Sequence, residues 1–304
     1  MYVLKPIPIT AGMIQAGTSI AEPAAGETAW TSGGTYAVGD LRIRSTTHKV
    51  YECVQANTGR TALPENDPAY WLEKGPTQRH APFDMYVSTA ATAAGSMTYV
   101  LQPGYFTAVA LYGLSAGEYE ITVRDGPGGA VVYHRAGHTT ADPAGWFEYL
   151  FDRQEIKRKL LFTNIPIRLG AELTITLTGA SVSLGLLAIG DFVELANGAQ
   201  WGGTLAGATA EPVSYSYIKT EDDGTTRIKR RNAATGMRAT VMLPRRQADQ
   251  ALDLIQSLLD VPAAWVATTA PGFDGLSVFG LGSATVSYDS AVHATINLNV
   301  KGLI

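Results

Sequence analysis

Alternation of apolar and polar residues is the dominant pattern along this chain. Tyr119, Ile121 and Val123 fall on one side and Glu118, Glu120, Thr122 and Arg124 on the other, the two-residue period of a half-buried strand. Asp125-Gly126-Pro127-Gly128-Gly129 then turns the chain into Ala130–Tyr133, a hairpin. Leu173, Ile175 and Leu177 alternate with Thr174, Thr176 and Thr178, and Val182, Leu184, Leu186, Leu187 and Ile189 make a second dense strand that ends at Gly190-Asp191. Short strands at this spacing predict a jelly-roll-like β-sandwich over residues 81–195.

The segment 196–304 has a different rhythm. Strands are expected around residues 213–219, 225–230 and 238–243. Ala248, Ala251, Leu252, Ile255, Leu258 and Leu259 then recur at three- and four-residue steps, a helix that Pro262 stops. Two closing strands follow at 284–288 and 294–301, the last with Ile296, Leu298 and Val300 facing in. The expectation here is a β-sandwich with one amphipathic helix. The fold class of the whole chain is mainly β.

Two further segments precede these. Residues 1–29 read as an extended arm, because the prolines of Lys5-Pro6-Ile7-Pro8-Ile9 restrict the residues before them to extended geometry. Its apolar residues (Val3, Leu4, Ile7, Ile9, Met13 and Ile14) favour an arm that lies across another surface. Residues 30–80 read as a small aromatic-cored β domain. Leu41 and Ile43 alternate with Arg42 and Arg44, Val50 and Tyr51 begin a second run, Asn57-Thr58-Gly59 turns the chain, and a proline-bounded loop leads to Trp71.

Composition narrows the class. The 304 residues suggest two or three domains, and 46% hydrophobic residues are ample for folded cores. Charged residues make up 16%, below the roughly 25% usual for soluble domains, which fits a chain that covers much of itself against neighbours. A net charge of −4 argues against a nucleic-acid binder. The single cysteine, Cys53, excludes an internal disulfide and a cysteine-rich zinc site, and reads as a small buried hydrophobe. The start MYVLKPIPITAGMI lacks the basic head and apolar run of a signal peptide, and no run of eighteen apolar residues predicts membrane insertion.

Catalytic chemistry has little to stand on. The sequence holds no Walker phosphate loop, Gly-x-Ser-x-Gly elbow or His-Glu-x-x-His helix. His134 and His138 stand four apart but read as loop histidines, so no metal and no cofactor is expected. Glu221-Asp222-Asp223-Gly224 reads as a hairpin turn, since the spacing of a calcium loop is missing. Asp142, Glu148 and Asp152 flank Trp146 and Phe147, but a glycosidase pair needs a defined separation that sequence does not fix. Basic clusters at 227–231, 245–246 and 153–159 are solvated faces or subunit contacts.

Trp30 to Trp71 packs a tryptophan, the turn Tyr36-Ala37-Val38-Gly39-Asp40, two short strand-like runs and a closing tryptophan into one small unit. This pattern resembles the small chitin-binding modules of bacterial chitinases. In the longer form that ends in Trp71-Leu72-Glu73-Lys74-Gly75-Pro76-Thr77 and then Phe83-Asp84, it resembles a module of bacteriophage tail proteins. The resemblance implies Tyr36, Tyr51 and Trp71 as carbohydrate-stacking rings. Chitinase modules carry a tryptophan pair after the second strand's tyrosine, whereas Glu52-Cys53-Val54-Gln55 follows Tyr51 here, so the same rings also read as the module's own core. The order of elements in 196–304 resembles the ring-forming domains of phage tail-tube and distal tail proteins.

Together these resemblances imply a non-enzymatic structural component of a phage tail tip or baseplate. It would be made in the host bacterial cytoplasm, assemble as a symmetric homo-oligomer with other tail proteins, and anchor fibres or contact host-surface glycan. The alternatives are a carbohydrate-binding adhesin or receptor-binding protein and, further off, a glycan-degrading enzyme.

Overall fold

A computed structural model describes residues 1–140, 145–151, 156–196, 201–230, 232–270 and 272–303 of the chain. The protein is mainly β, and its first strand, β1 (Tyr2–Pro6), already holds the architecture together. The aromatic module follows as β2 (Leu41–Arg44), β3 (Lys49–Cys53) and β4 (Trp71–Pro76), a three-stranded antiparallel sheet in the order β2-β3-β4. Of the alternating pair Leu41 and Ile43, only Ile43 lies inside, at 2% exposure, whereas Leu41 is 51% exposed near the end of the sheet. A unit this small holds together by burying large rings, here Trp30, Tyr36, Tyr51 and Trp71 around Cys53.

The middle of the chain contributes β5 (Ala91–Leu101), β6 (Ala108–Tyr112), β7 (Glu118–Arg124) and β8 (Val131–His138). A short helix α1 (Trp146–Phe151) follows, then β9 (Lys159–Phe162), β10 (Glu172–Leu184) and β11 (Leu186–Glu194). Strands β8-β7-β10-β5 form a four-stranded antiparallel sheet. Its inward residues, among them Ile121, Val123, Leu173 and Ile175, pack against Val109, Leu111, Leu187 and Ile189 of β6 and β11. This is the sandwich-like pair of layers that the alternation foretold. The Gly-rich turn at 125–129 links β7 to β8.

The last third supplies β12 (Thr209–Ser214), β13 (Tyr217–Thr220), β14 (Thr226–Lys229), β15 (Ala233–Pro244), the helix α2 (Ala248–Ser257), β16 (Ala263–Val266), β17 (Ser277–Ser287) and β18 (His293–Gly302). Ala248, Ala251, Ile255 and Leu258 are buried, while Leu259 is exposed. The helix ends ahead of Pro262, where Asp260 takes a left-handed φ of 61°. Its apolar face rests on the sheet that carries Trp265, Ile296 and Leu298.

The two later segments share one sheet. Ten strands run together, in the order β9-β6-β11-β1-β16-β17-β18-β15 with two short partners on β15. β1 is the joint: Tyr2–Pro6 pairs antiparallel with Glu194–Gly190 of β11, and Tyr2–Leu4 pairs with Val266–Ala264 of β16. Val3 and Leu4 point to opposite faces and are both 0% exposed, which only a strand covered on both sides allows. The sheet also curls. Lys159 Nζ on β9 donates to Ser277 O on β17 at 2.8 Å, and the Tyr112 hydroxyl lies 3.1 Å from Ser277 Oγ, although several strands separate β9 from β17 in the sheet. Leu4, Ala108, Ala110, Ala188, Ala264 and Phe279 fill the inside of that curl. Burial there lowers the Lys159 amine from its ordinary value, and Asp274 partly offsets this; burial pushes the Tyr112 phenol up to about 12.

The remainder of the expected arm is spent on the same chain. Gln15 N donates to Val100 O, Ser19 N to Thr98 O and Gln102 N to Met13 O, so residues 13–19 cover the open edge of β5. Ile14, Ile20 and Ala24 join the sandwich core. The surface that this arm lies across is its own.

Candidate functional site

Tyr36, Tyr51 and Trp71, the expected stacking rings, are 5, 3 and 3% exposed. Tyr36 and Trp71 meet edge to face at 5.0 Å, and the Tyr36 hydroxyl accepts from Thr31 N and donates to Thr31 O. A sugar needs a free ring face, and all three rings are buried in the module's own cluster. Arginines cap the module's rings from outside: Arg60 lies 3.7 Å above Tyr70, and Arg44 lies 5.2 Å from Trp30 while bound to Glu65. The three rings therefore form the module's core.

His134 and His138 lie on strand β8 and not in a loop. Their partners are Glu120 and Glu118 across the sheet, at 3.1 and 3.5 Å, so each imidazole has its own carboxylate and the two do not converge. Glu221–Thr225 is the tip of a hairpin, with Glu221 N donating to Thr225 O and Thr225 N to Asp223 Oδ1. Asp142 and Asp152 lie outside the described residues, as does the Glu148 side chain. Trp146, Phe147, Leu150 and Phe151 on α1 are 63–81% exposed.

A second exposed feature is a ribbon. β12 pairs with the start of β15, and β13 pairs with β14 beyond them, so the chain runs out and back from 209 to 238. From Trp201 to Ala233 no described residue is buried. Ile218 and Ile228 face each other across the ribbon at 64 and 59% exposure, and Tyr217 is 54% exposed. Lys219, Arg227, Lys229 and Arg230 surround them, also exposed.

A second constellation joins residues that no sequence pattern links. Glu22 of the arm, His48 in the β2–β3 turn and His80 in the linker after β4 come together at the junction of arm, module and sandwich. His48 Nδ1 lies 2.8 Å from Glu22 Oε2, and His80 Nδ1 lies 3.6 Å from Glu22 Oε1. Thr77 Oγ1 donates to Glu22 Oε1 at 2.6 Å and sits 3.2 Å from His80 Nδ1. The two imidazoles stack with centroids 3.9 Å apart and 27° between planes. The Glu22 carboxylate is only 9% exposed, and among the described residues His80 Nε2 is buried without a hydrogen-bond partner. Burial, the neighbouring His48 and Arg79 hold His80 down at about 4, with Glu22 pulling the other way. Positions 22, 48 and 80 share no local spacing, so this trio is brought together only by tertiary folding.

No known protein family, curated protein or solved structure matches this chain.

Proposed function

We propose that this chain is a non-enzymatic structural subunit of a bacteriophage tail tip or baseplate, and that it assembles as a symmetric homo-oligomer alongside other tail proteins. The observation that carries the reading is the outer part of the ribbon, where Tyr217, Ile218 and Ile228 are exposed and no described residue between 201 and 233 is buried. An isolated two-stranded hairpin is marginal in water. Paired isoleucines on such a hairpin are stabilised when a neighbouring subunit covers them. The exposed apolar face of α1 and the chain's low content of charged residues point the same way. The resemblance of the C-terminal element order to ring-forming tail domains supplies the biological setting.

Light scattering of the full chain, with negative-stain images of the same fraction, tests this directly. Discrete rings or trimers are expected. The double substitution Ile218→Asp and Ile228→Asp should shift the mass to monomer and leave the circular-dichroism spectrum unchanged, since both side chains lie outside the buried cores. A wild-type protein that stays monomeric at high concentration overturns self-assembly.

A further inference from the structure

The Glu22–His48–His80 junction has the donors of a metal site. One ligand atom from each residue lies within 4.8 Å of the other two. Ligands around a tetrahedral zinc-type ion sit about 3.4 Å apart at bond lengths near 2.1 Å, so the side chains need to close by at most about 1.4 Å. Two imidazoles and a carboxylate suit a borderline transition ion, whereas calcium and magnesium prefer all-oxygen shells.

Three details belong to a binding site more than to an ordinary polar contact. The Glu22 carboxylate is nearly buried, and both imidazoles are directed onto it. Thr77 fixes that carboxylate from the side through its hydroxyl, the supporting hydrogen bond that metal-binding carboxylates usually receive. His48 adopts a left-handed φ of 56°, a conformation that costs a non-glycine residue energy and here aims the ring at Glu22. A further nitrogen, His80 Nε2, is buried without a partner.

We propose that Glu22, His48 and His80 bind a zinc-class divalent transition ion, which fastens the N-terminal arm and the 77–80 linker to the aromatic module. The ion would occupy a three-ligand site with a fourth position left for water or a partner side chain. It would act as a clasp: each ligand comes from a different segment, so binding favours the docked arrangement of all three. The proposal stands apart from the assembly reading and uses none of the ribbon's residues.

The test uses the full chain, stripped with a chelator and then titrated with cobalt(II) chloride and, separately, zinc chloride. Cobalt uptake should saturate at one equivalent per chain, with the intense visible absorption of a tetrahedral site, and zinc should displace it and raise Tm. Calcium chloride should do neither. His48→Gln and His80→Gln should each weaken uptake by about tenfold or more, and the His134→Gln, His138→Gln double variant should bind like wild type. Folding of each variant is checked by circular dichroism without metal. Absence of a cobalt spectrum in the wild-type chain overturns the proposal, with no variant needed. Uptake that survives His48→Gln and His80→Gln but is lost with His134 and His138 overturns it equally.

Discussion

Two imidazoles stacked over one buried carboxylate leave little room for a second proton. His80 is held down at about 4 chiefly by burial, then by the adjacent His48 ring, with Arg79 adding to the effect and Glu22 opposing it. An unfolded histidine titrates near 6.5. Between these values the unfolded chain binds a proton that the folded chain refuses, so stability is full above pH 6.5 and falls as pH drops toward 4. For a single group the slope is at most about 1.4 kcal/mol per pH unit. Urea midpoints measured at pH 7.5, 6, 5 and 4 with chelator present should show this loss, and His80→Gln should flatten it. Identical pH profiles for wild type and variant would count against this role for His80. At the residue scale the aromatic spacing of the module was legible in sequence, because ring-burying units need large side chains at fixed positions. Whether those rings faced sugar or each other was not legible, since spacing does not say which side of a ring is covered.

β1 shows how an element is misread when its partners are distant in sequence. Its prolines and apolar residues announce an extended segment, and it is extended. Its place between β11 and β16 depends on strands some 185 and 260 residues away (Gly190–Glu194 and Ala264–Val266). Close approach at that joint is made possible by Gly190, where a side-chain carbon would collide with the Lys5 carbonyl oxygen. Gly190→Val should therefore lower stability by about 1–3 kcal/mol or more and expose the amides of Tyr2–Pro6 to hydrogen exchange. An unchanged urea midpoint with those amides still protected would show that the joint tolerates the added carbon. β6 was hidden for a related reason. All five residues of Ala108–Tyr112 are buried, so no alternation marks it.

Because β1 bonds to both neighbours, β6, β9 and β11 share a sheet with β15 to β18, and the two segments that carry these strands should lose structure in one step. Hydrogen exchange followed by mass spectrometry across a urea series should give both segments the same midpoint. Separate midpoints would mean that the joint is weaker than its burial implies. Residue order was enough for the mainly β class, the β7–β8 hairpin, the inward faces of β10 and β18, the amphipathic helix α2 and the aromatic module, because periodicity and turn chemistry act over neighbouring residues. Tertiary structure alone decided that the arm becomes a central strand, that the sheet curls until Lys159 reaches Ser277, and that Glu22 meets His48 and His80. Those outcomes depend on long-range strand pairing, whose hydrogen bonds come from the backbone and leave no signature in residue identity.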